Sequence, residues 1–317
     1  MAIGLISTPA SWVQGTPASP TWFQNVQDTL NAIQAGGRGF FGNGIEGDVV
    51  QAGTFSPLYG YDDLTLNSGA NANLTSGYLP LLVGGTLTVN SGAKISANGA
   101  AGGNGSGAAG GTGGGQSTNT YRHCGGYGKA GQTASSTPTA PPSLMYGAGG
   151  LGGNGGAAGA GPGPAGSILV NTSLYRPWVR GELFFHAVNL ALSTTPLLVP
   201  LSGGSGGGGG RGDATNGGGG GGEGGGFIIV IARRIIWNVG GTWEATGGAG
   251  GNGHTTGNTD GGGGGGGGAA LFIYESLTGS IPSGTVTGGA GGAKNGTGAV
   301  GAAGSSGTST AFTLSLG

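Results

Sequence analysis

Tyr121, Arg122, His123 and Tyr127 stand together in a polar stretch, Tyr146 follows it, and Arg211, Asp213, Asn216, His254 and Asn258 interrupt glycine runs further on. Such side chains stack, donate and accept. Tyr and Arg are frequent anchors of binding surfaces, and His, Asn and Asp hydrogen-bond to sugars or protein loops. Their pattern points to recognition rather than bond breaking. No HExxH motif is legible, and three His leave little scope for a histidine base. Glu46, Asp48, Asp62 and Asp63 form a carboxylate cluster. Paired acids would suit glycoside hydrolysis, but acids at turn edges cap backbone amides, and capping is the expectation. Cys124 beside His123 has too few companions for zinc, which takes three or four ligands, and a single Cys builds no disulfide within one chain. The sequence therefore predicts no enzyme, no metal and no cofactor. Arg211-Gly-Asp213 spells an integrin-type motif, yet a tight turn between glycine runs accounts for three letters without a receptor.

The elements that position these residues are built largely of glycine, 86 of 317 residues. Three stretches align: GTLTVNSGAKISANGAAGGNG from Gly85, IIVIARRIIWNVGGTWEATGGAGGNG from Ile228 and ALFIYESLTGSIPSGTVTGGAGG from Ala270. The unit is an apolar strand, a turn, a short strand and a glycine array, with segments of varied length spliced in. Isolated glycine runs are flexible linkers. Many arrays bounded by apolar strands predict instead polyglycine in the polyproline II conformation, with three residues per turn and amides directed outward. Such helices satisfy one another's backbone groups only where side chains stay out of the contacts. Gly261 to Gly268 would span roughly 25 Å at that rise. Pure glycine arrays such as Gly217 to Gly222 should be interior, and arrays carrying Ala, Asn or Ser, such as Gly99 to Gly115, should form outer rows.

Composition narrows the class. Charged residues make up 7% of the chain and the formal net charge is −1, against about 25% charged residues in an average domain. That leaves no electrostatic footprint for nucleic acid. The glycine lacks a strict Gly-X-Y period, which excludes collagen. No apolar run approaches about 20 residues, so no membrane insertion is expected, and the N-terminus does not read as a secretion signal.

Along the chain, residues 1–37 predict a short helix: Ser19 as N-cap, Pro20 at the first position, and Phe23, Val26, Leu30 and Ile33 at helical spacing before Gly36-Gly37. With Trp12 and Trp22 its apolar stripe needs a surface, either this chain's own β region or a partner protein. Residues 38–98 read as β repeats: Asp63 to Asn67, Leu79 to Val83 and Thr86 to Asn90 as separate segments, with recurring Asn-Ser-Gly turns that imply coils or hairpins stacked in one sheet. Residues 99–317 read as a polyglycine and β region. In it Gln116 to Tyr146 is an exposed polar loop, Ser167 to Ser202 supplies two or three strands covering the glycine layers, Phe227 to Ile231 is a strand buried on both faces, Leu271 to Tyr274 repeats it, and Thr308 to Leu316 is a final strand. The fold class expected is thus mainly β with polyglycine/polyproline-II helices: a short N-terminal helix, β repeats, then packed polyglycine-II layers flanked by strands.

The FFGNGIEGDV opening, the DLTLNSGA and GTLTVNSGAKISANGAAG repeats and the polyglycine followed by FIIVIAR resemble glycine-rich tail and tail-fibre proteins of tailed bacteriophages, over residues 39 to 293. The alternation of arrays with variable loops is similar to polyglycine-sandwich fibre-tip adhesins, although the N-terminus departs from theirs. The resemblance implies a virion tail-tip or tail-fibre protein that binds a host surface protein or polysaccharide without catalysis and is assembled in the host cytoplasm. Trp12, Trp22, Phe23, Val26, Leu30 and Ile33 would attach it to other tail or baseplate proteins, and the ten residues named at the outset would contact the receptor; a homo-oligomer such as a trimer is compatible with this. The alternatives are a purely structural virion component (baseplate, tail or capsid decoration) and, less favoured, a surface-polysaccharide depolymerase.

Overall fold

The computed structural model describes residues 46–57, 60–74, 81–115, 128–132 and 203–315. The predicted N-terminal helix and the strands expected within Ser167 to Ser202 lie outside these residues. The described core is all-β and consists of two parallel sheets. The larger holds β1 (Val49–Gln51), β3 (Leu64–Leu66), β5 (Leu81–Val89), β7 (Phe227–Trp237), β9 (Ala269–Gly279) and β10 (Phe312–Ser315), in that order. The smaller holds β2 (Thr54–Phe55), β4 (Asn71–Asn73), β6 (Lys94–Ser96) and β8 (Thr242–Glu244). The chain therefore winds. Each coil runs down a strand of the larger sheet, turns, and returns along a strand of the smaller one, and the next coil pairs beside it. Two sheets, rather than the single sheet read from the sequence, follow from the turn between them. Pairs such as Leu64, Leu87, Ile235 and Leu277 fall in register because apolar residues at alternate positions all face one core.

The recurring turns fix where each coil bends. In Asn67-Ser-Gly-Ala70, Asn90-Ser-Gly-Ala93 and Asn238-Val-Gly-Gly241 the fourth residue's amide donates to the Asn carbonyl at 2.9–3.0 Å. Gly69, Gly92 and Gly240 sit at φ of +83°, +76° and +89°, the left-handed position that a type II turn reserves for glycine. Successive Asn side chains bond to one another, Asn90 Nδ2 donating to Asn67 Oδ1 at 3.1 Å and Asn238 Nδ2 to Asn90 Oδ1 at 2.7 Å. The last pair is 148 residues apart in sequence.

Between the sheets lie Leu64, Leu66, Leu87, Val89, Ile95, Ile235, Trp237, Trp243 and Phe272, each complete burial contributing roughly 1.5–3 kcal/mol. Trp237 meets Phe272 edge to face with ring centroids 5.5 Å apart, the arrangement that aromatic quadrupoles favour. The indole N–H groups are satisfied, Trp237 Nε1 donating to Gly241 O at 3.1 Å and Trp243 Nε1 to Pro282 O at 2.9 Å. Residues 227–232 of β7 are buried on both faces, as their unbroken apolar run implies.

Leu79 to Val83 and Thr86 to Asn90 are not separate segments. Their described parts, Leu81 to Val83 and Thr86 to Val89, fall in one strand, β5, whose register against β7 shifts between Val83 and Thr86. The two intervening glycines make a bulge: Gly84 and Gly85 donate to Tyr61 O and Asp62 O, both at 2.7 Å. Asp63 Oδ1 accepts the Thr86 amide at 2.5 Å, so this member of the acid cluster caps backbone, as expected. A Cβ on Gly85 would strike that carboxylate, which explains the glycine.

In the first two coils the smaller-sheet strand leads back within a few residues; in the later ones it continues into glycine. The described glycine segments are 97–105, 109–115, 128–132, 203–210, 217–226, 245–253, 261–268, 285–293 and 299–307. Their amides bond sideways, at every third residue to the same neighbour. Residues 217, 220, 223 and 226 donate to residues 107, 103, 100 and 97 at 2.6–2.9 Å. Gly218 and Gly221 donate to Gln132 and Lys129, and Gly219, Gly222 and Gly225 donate to Asp260, Gly263 and Gly266. Segment 217–226 in turn accepts amides from segments 109–115, 203–210 and 245–253, so six neighbours surround it. Residues 217–226 and 261–268 are buried throughout, whereas 97–105, 285–293 and 299–307 expose residues such as Ala100, Asn104, Thr287 and Val300, with Ala97 and Val286 turned into the core.

Candidate functional site

The direction of the glycine segments decides where their connections fall. Segments leaving the smaller sheet and segments entering the larger one are antiparallel neighbours, so the turns 105–109, 211–216, 253–260 and 293–298 all lie at the end remote from the strands. Bonds between them show that they adjoin: Gly217 donates to Gly107 O at 2.6 Å, Asp260 to Arg211 O at 2.9 Å and Asn295 to Thr259 O at 2.9 Å.

Asp213 is the hub of this face. Its Oδ1 accepts the amides of Thr215 and Asn216, each at 2.8 Å, and its Oδ2 accepts the amide of Asn258, 45 residues away, at 2.7 Å. Asn216 Nδ2 donates to both oxygens at 3.1 and 3.2 Å. The Thr215 and Asn258 amides above all, with lesser help from the Asn216 side chain and amide, hold the carboxyl well below the usual carboxylate range, and desolvation opposes them less strongly than either of those first two amides acts. Thr256 Oγ1 bridges Asn216 Oδ1 at 3.0 Å and the His254 ring at 2.9 Å. Asn258 Oδ1 accepts the Thr297 amide at 2.9 Å, Asn295 Nδ2 donates to Gly257 O at 2.9 Å, and Thr259 Oγ1 donates to His254 O at 2.8 Å. Gly257, at φ +78°, has no room for a Cβ beside the Asp213 carboxylate. The buried Asp260 accepts the Ala299 amide at 2.6 Å.

Of the residues expected to contact a receptor, the structure brings Arg211, Asp213, Asn216, His254 and Asn258 together. Three of them, Asp213, Asn216 and Asn258, use their polar atoms to join one loop to the next. Asp213 in particular is enclosed by amide donors, so Arg211-Gly-Asp213 does not offer a free carboxylate, in keeping with the tight-turn reading. Ala214, Thr215, Thr255, Thr256, Lys294 and Thr297 are exposed on the same face. Within the expected loop His254 to Asp260 the sequence did not single out Thr256, and Asn295 and Thr297 were missed; the signal was there, since Lys294-Asn-Gly-Thr297 interrupts a glycine array as Asn252-Gly-His254 does.

Tyr121, Arg122, His123, Tyr127 and Tyr146 lie outside the described residues, as do Trp12, Trp22, Phe23, Val26, Leu30 and Ile33. One expectation about that region is corrected. Gln116 to Tyr146 is not a single exposed loop, because residues 128–132 belong to the bundle: Gly128 and Gly131 donate to Gly114 O and Gly111 O at 3.0 and 2.7 Å, and Lys129 and Gln132 to Gly207 O and Gly210 O at 2.9 Å. The glycines in Gly125-Gly-Tyr-Gly-Lys-Ala-Gly131 carried that signal, too short to read as an array. Gly115 and Gly128 stand at the strand side of the bundle and Gln132 at the loop side.

Among the described residues no group of three or more His, Cys, Asp or Glu is placed to hold a metal ion, and no helix is long and apolar enough to cross a membrane. Compared with protein-family models, curated proteins and solved structures, the chain matches none.

Proposed function

We propose that the glycine segments are polyglycine-II helices and that they form a stiff mount for a recognition face, in a virion tail-tip or tail-fibre protein that binds the host surface. The observation that carries this reading is the gathering of four loops at one end of a bundle whose interior glycine positions leave no room for a side chain. Lateral bonds at every third residue match the three-residue turn of the polyproline II helix. A Cβ on the central Gly219 or Gly222 would lie 2.6 Å from the carbonyl carbons of Gly251 and Gly248, well inside the ordinary contact of about 3.5–4.0 Å. Variation is thereby confined to the loops, which tolerate change. In this reading Met1 to Gln34 joins the chain to other tail or baseplate proteins, and the loop face meets a host protein or polysaccharide without catalysis.

A second reading is a structural virion component with no receptor. It is favoured by the loop face itself, whose described side chains include no Tyr, Trp or Phe, the usual anchors of tight interfaces. Adsorption separates the two. Ala214→Glu combined with Thr255→Glu alters exposed positions and leaves the loop-to-loop bonds in place, so particles carrying it should assemble normally and adsorb at least tenfold more weakly, on the order of 1.4 kcal/mol. Normal assembly with unchanged adsorption would transfer the assignment to the structural component.

A further inference from the structure

Glu223 is the exception in segment 217–226, whose other nine residues are glycine, and it is 1% exposed. A carboxylate so placed is costly unless its hydrogen bonds require it. Segments 97–105 and 109–115 run antiparallel, Ser106 donating to Ala109 O at 3.0 Å and Gly103 to Thr112 O at 2.7 Å. Three residues further along this ladder, the amide of Ala100 comes opposite Gly115. There the ladder stops: Gly115 adopts φ +78° and the row ends. The Ala100 amide donates instead to Glu223 Oε2 at 2.9 Å, while the Glu223 amide donates to Ala100 O at 2.8 Å. The direction of the side chain agrees. A Cβ on Gly217 would point at Ala109 O and one on Gly220 at Thr112 O, so three residues on it points to where the row 109–115 has ended.

We propose that Glu223 terminates a glycine row: its side-chain oxygen replaces the carbonyl of the departing segment, so the chain can leave the bundle at Gly115 without stranding an amide in the interior. Side-chain oxygens play the same part on the outer row, where Asn98, Asn104 and Asn252 accept the amides of Thr246, Asn252 and Ala293 at 2.8–2.9 Å. Glu223 is thus a positioning residue for the row 109–115, a role independent of what the loops bind.

The test is amide hydrogen exchange at Ala100 in the full chain, for Glu223→Gln, which keeps the acceptor, and for Glu223→Met, which keeps the volume and removes it. The Gln variant should protect Ala100 as the parent does, and the Met variant should speed its exchange tenfold or more while Gly103 stays protected. Equal protection in the Met variant overturns the proposal, and so does a Gln variant as damaging as Met. If the Met variant does not fold, a folded Gln variant with Ala100 protected supports the proposal, and a Gln variant that fails to fold overturns it.

Discussion

Replacing Gly221 by Ala separates two opposing effects cleanly. In most settings a Gly→Ala change at a compatible backbone stabilises by about 0.4–1 kcal/mol, because the unfolded chain loses freedom. At Gly221 the added Cβ would lie 2.5 Å from the carbonyl carbon of Gly207 and 2.9 Å from the oxygen of Gly208. Restoring an ordinary contact of about 3.5 Å requires segment 203–210 to move away by roughly 1 Å. Three bonds span the gap it would open, from Gly204, Gly207 and Gly210 to Gly225, Gly222 and Gly219, each at 2.7 Å. Residues 203–210 are buried, so water does not readily replace these bonds, and each buried group left unpaired costs about 1–3 kcal/mol. Losing two of the three gives about 2–6 kcal/mol, a large part of the 5–15 kcal/mol typical of a folded domain. Urea unfolding followed by tryptophan fluorescence measures it, since Trp237 and Trp243 lie in the core. Ala249→Ser, at an exposed outward position, is the control and should stay within about 0.5 kcal/mol of the parent. A Gly221→Ala protein as stable as the parent, or more stable, would refute the argument that close carbonyl packing excludes side chains.

Gly264→Val should be more severe, preventing folding, because a Cβ there reaches within 2.5 Å of the Gly289 carbonyl carbon and β-branching adds bulk; a soluble variant with the parent's circular dichroism would contradict this. Trp237→Ala should cost about 3–5 kcal/mol, read from the urea midpoint, and a smaller loss would mean that the turn ladder, not the core, holds the coils. The Asp213 carboxyl is depressed in the folded chain, so its contribution is present above the ordinary carboxylate value of about 3.9 and is lost only as pH falls through the lower folded value. Protection of the Asn258 amide should accordingly persist at pH 4 and be lost in Asp213→Asn at any pH; side-chain titration near pH 4 in the parent would show that the amides do not hold the charge.

Much of the fold is written locally. Alternating Leu64, Leu66, Leu87 and Val89 specify strands with one buried face, and Asn-x-Gly specifies the turns, because only glycine takes the left-handed position there at no steric cost. Glycine in pure runs specifies which segments are interior, since no other residue fits against a carbonyl on every side. The carboxylate cluster, the Arg-Gly-Asp triplet and the loop residues were legible as chemistry in the same local way. Their partners were not. Asp213 meets Asn258, and Asn90 meets Asn238, across separations of 45 and 148 residues, distances at which no periodicity reports contact. Nor does glycine carry a side chain by which one run could select another, so the order of the rows is set by the strands and turns that deliver them. Tertiary structure alone decided that the Arg211 to Asn216 and His254 to Asp260 loops share one end, that residues 128–132 join the bundle, and that Asp213, Asn216 and Asn258 hold that end together. The sequence determined the kinds of element and the places where side chains are forbidden; the winding of the chain decided which interruptions meet, because the direction of each glycine segment follows from the strand it extends.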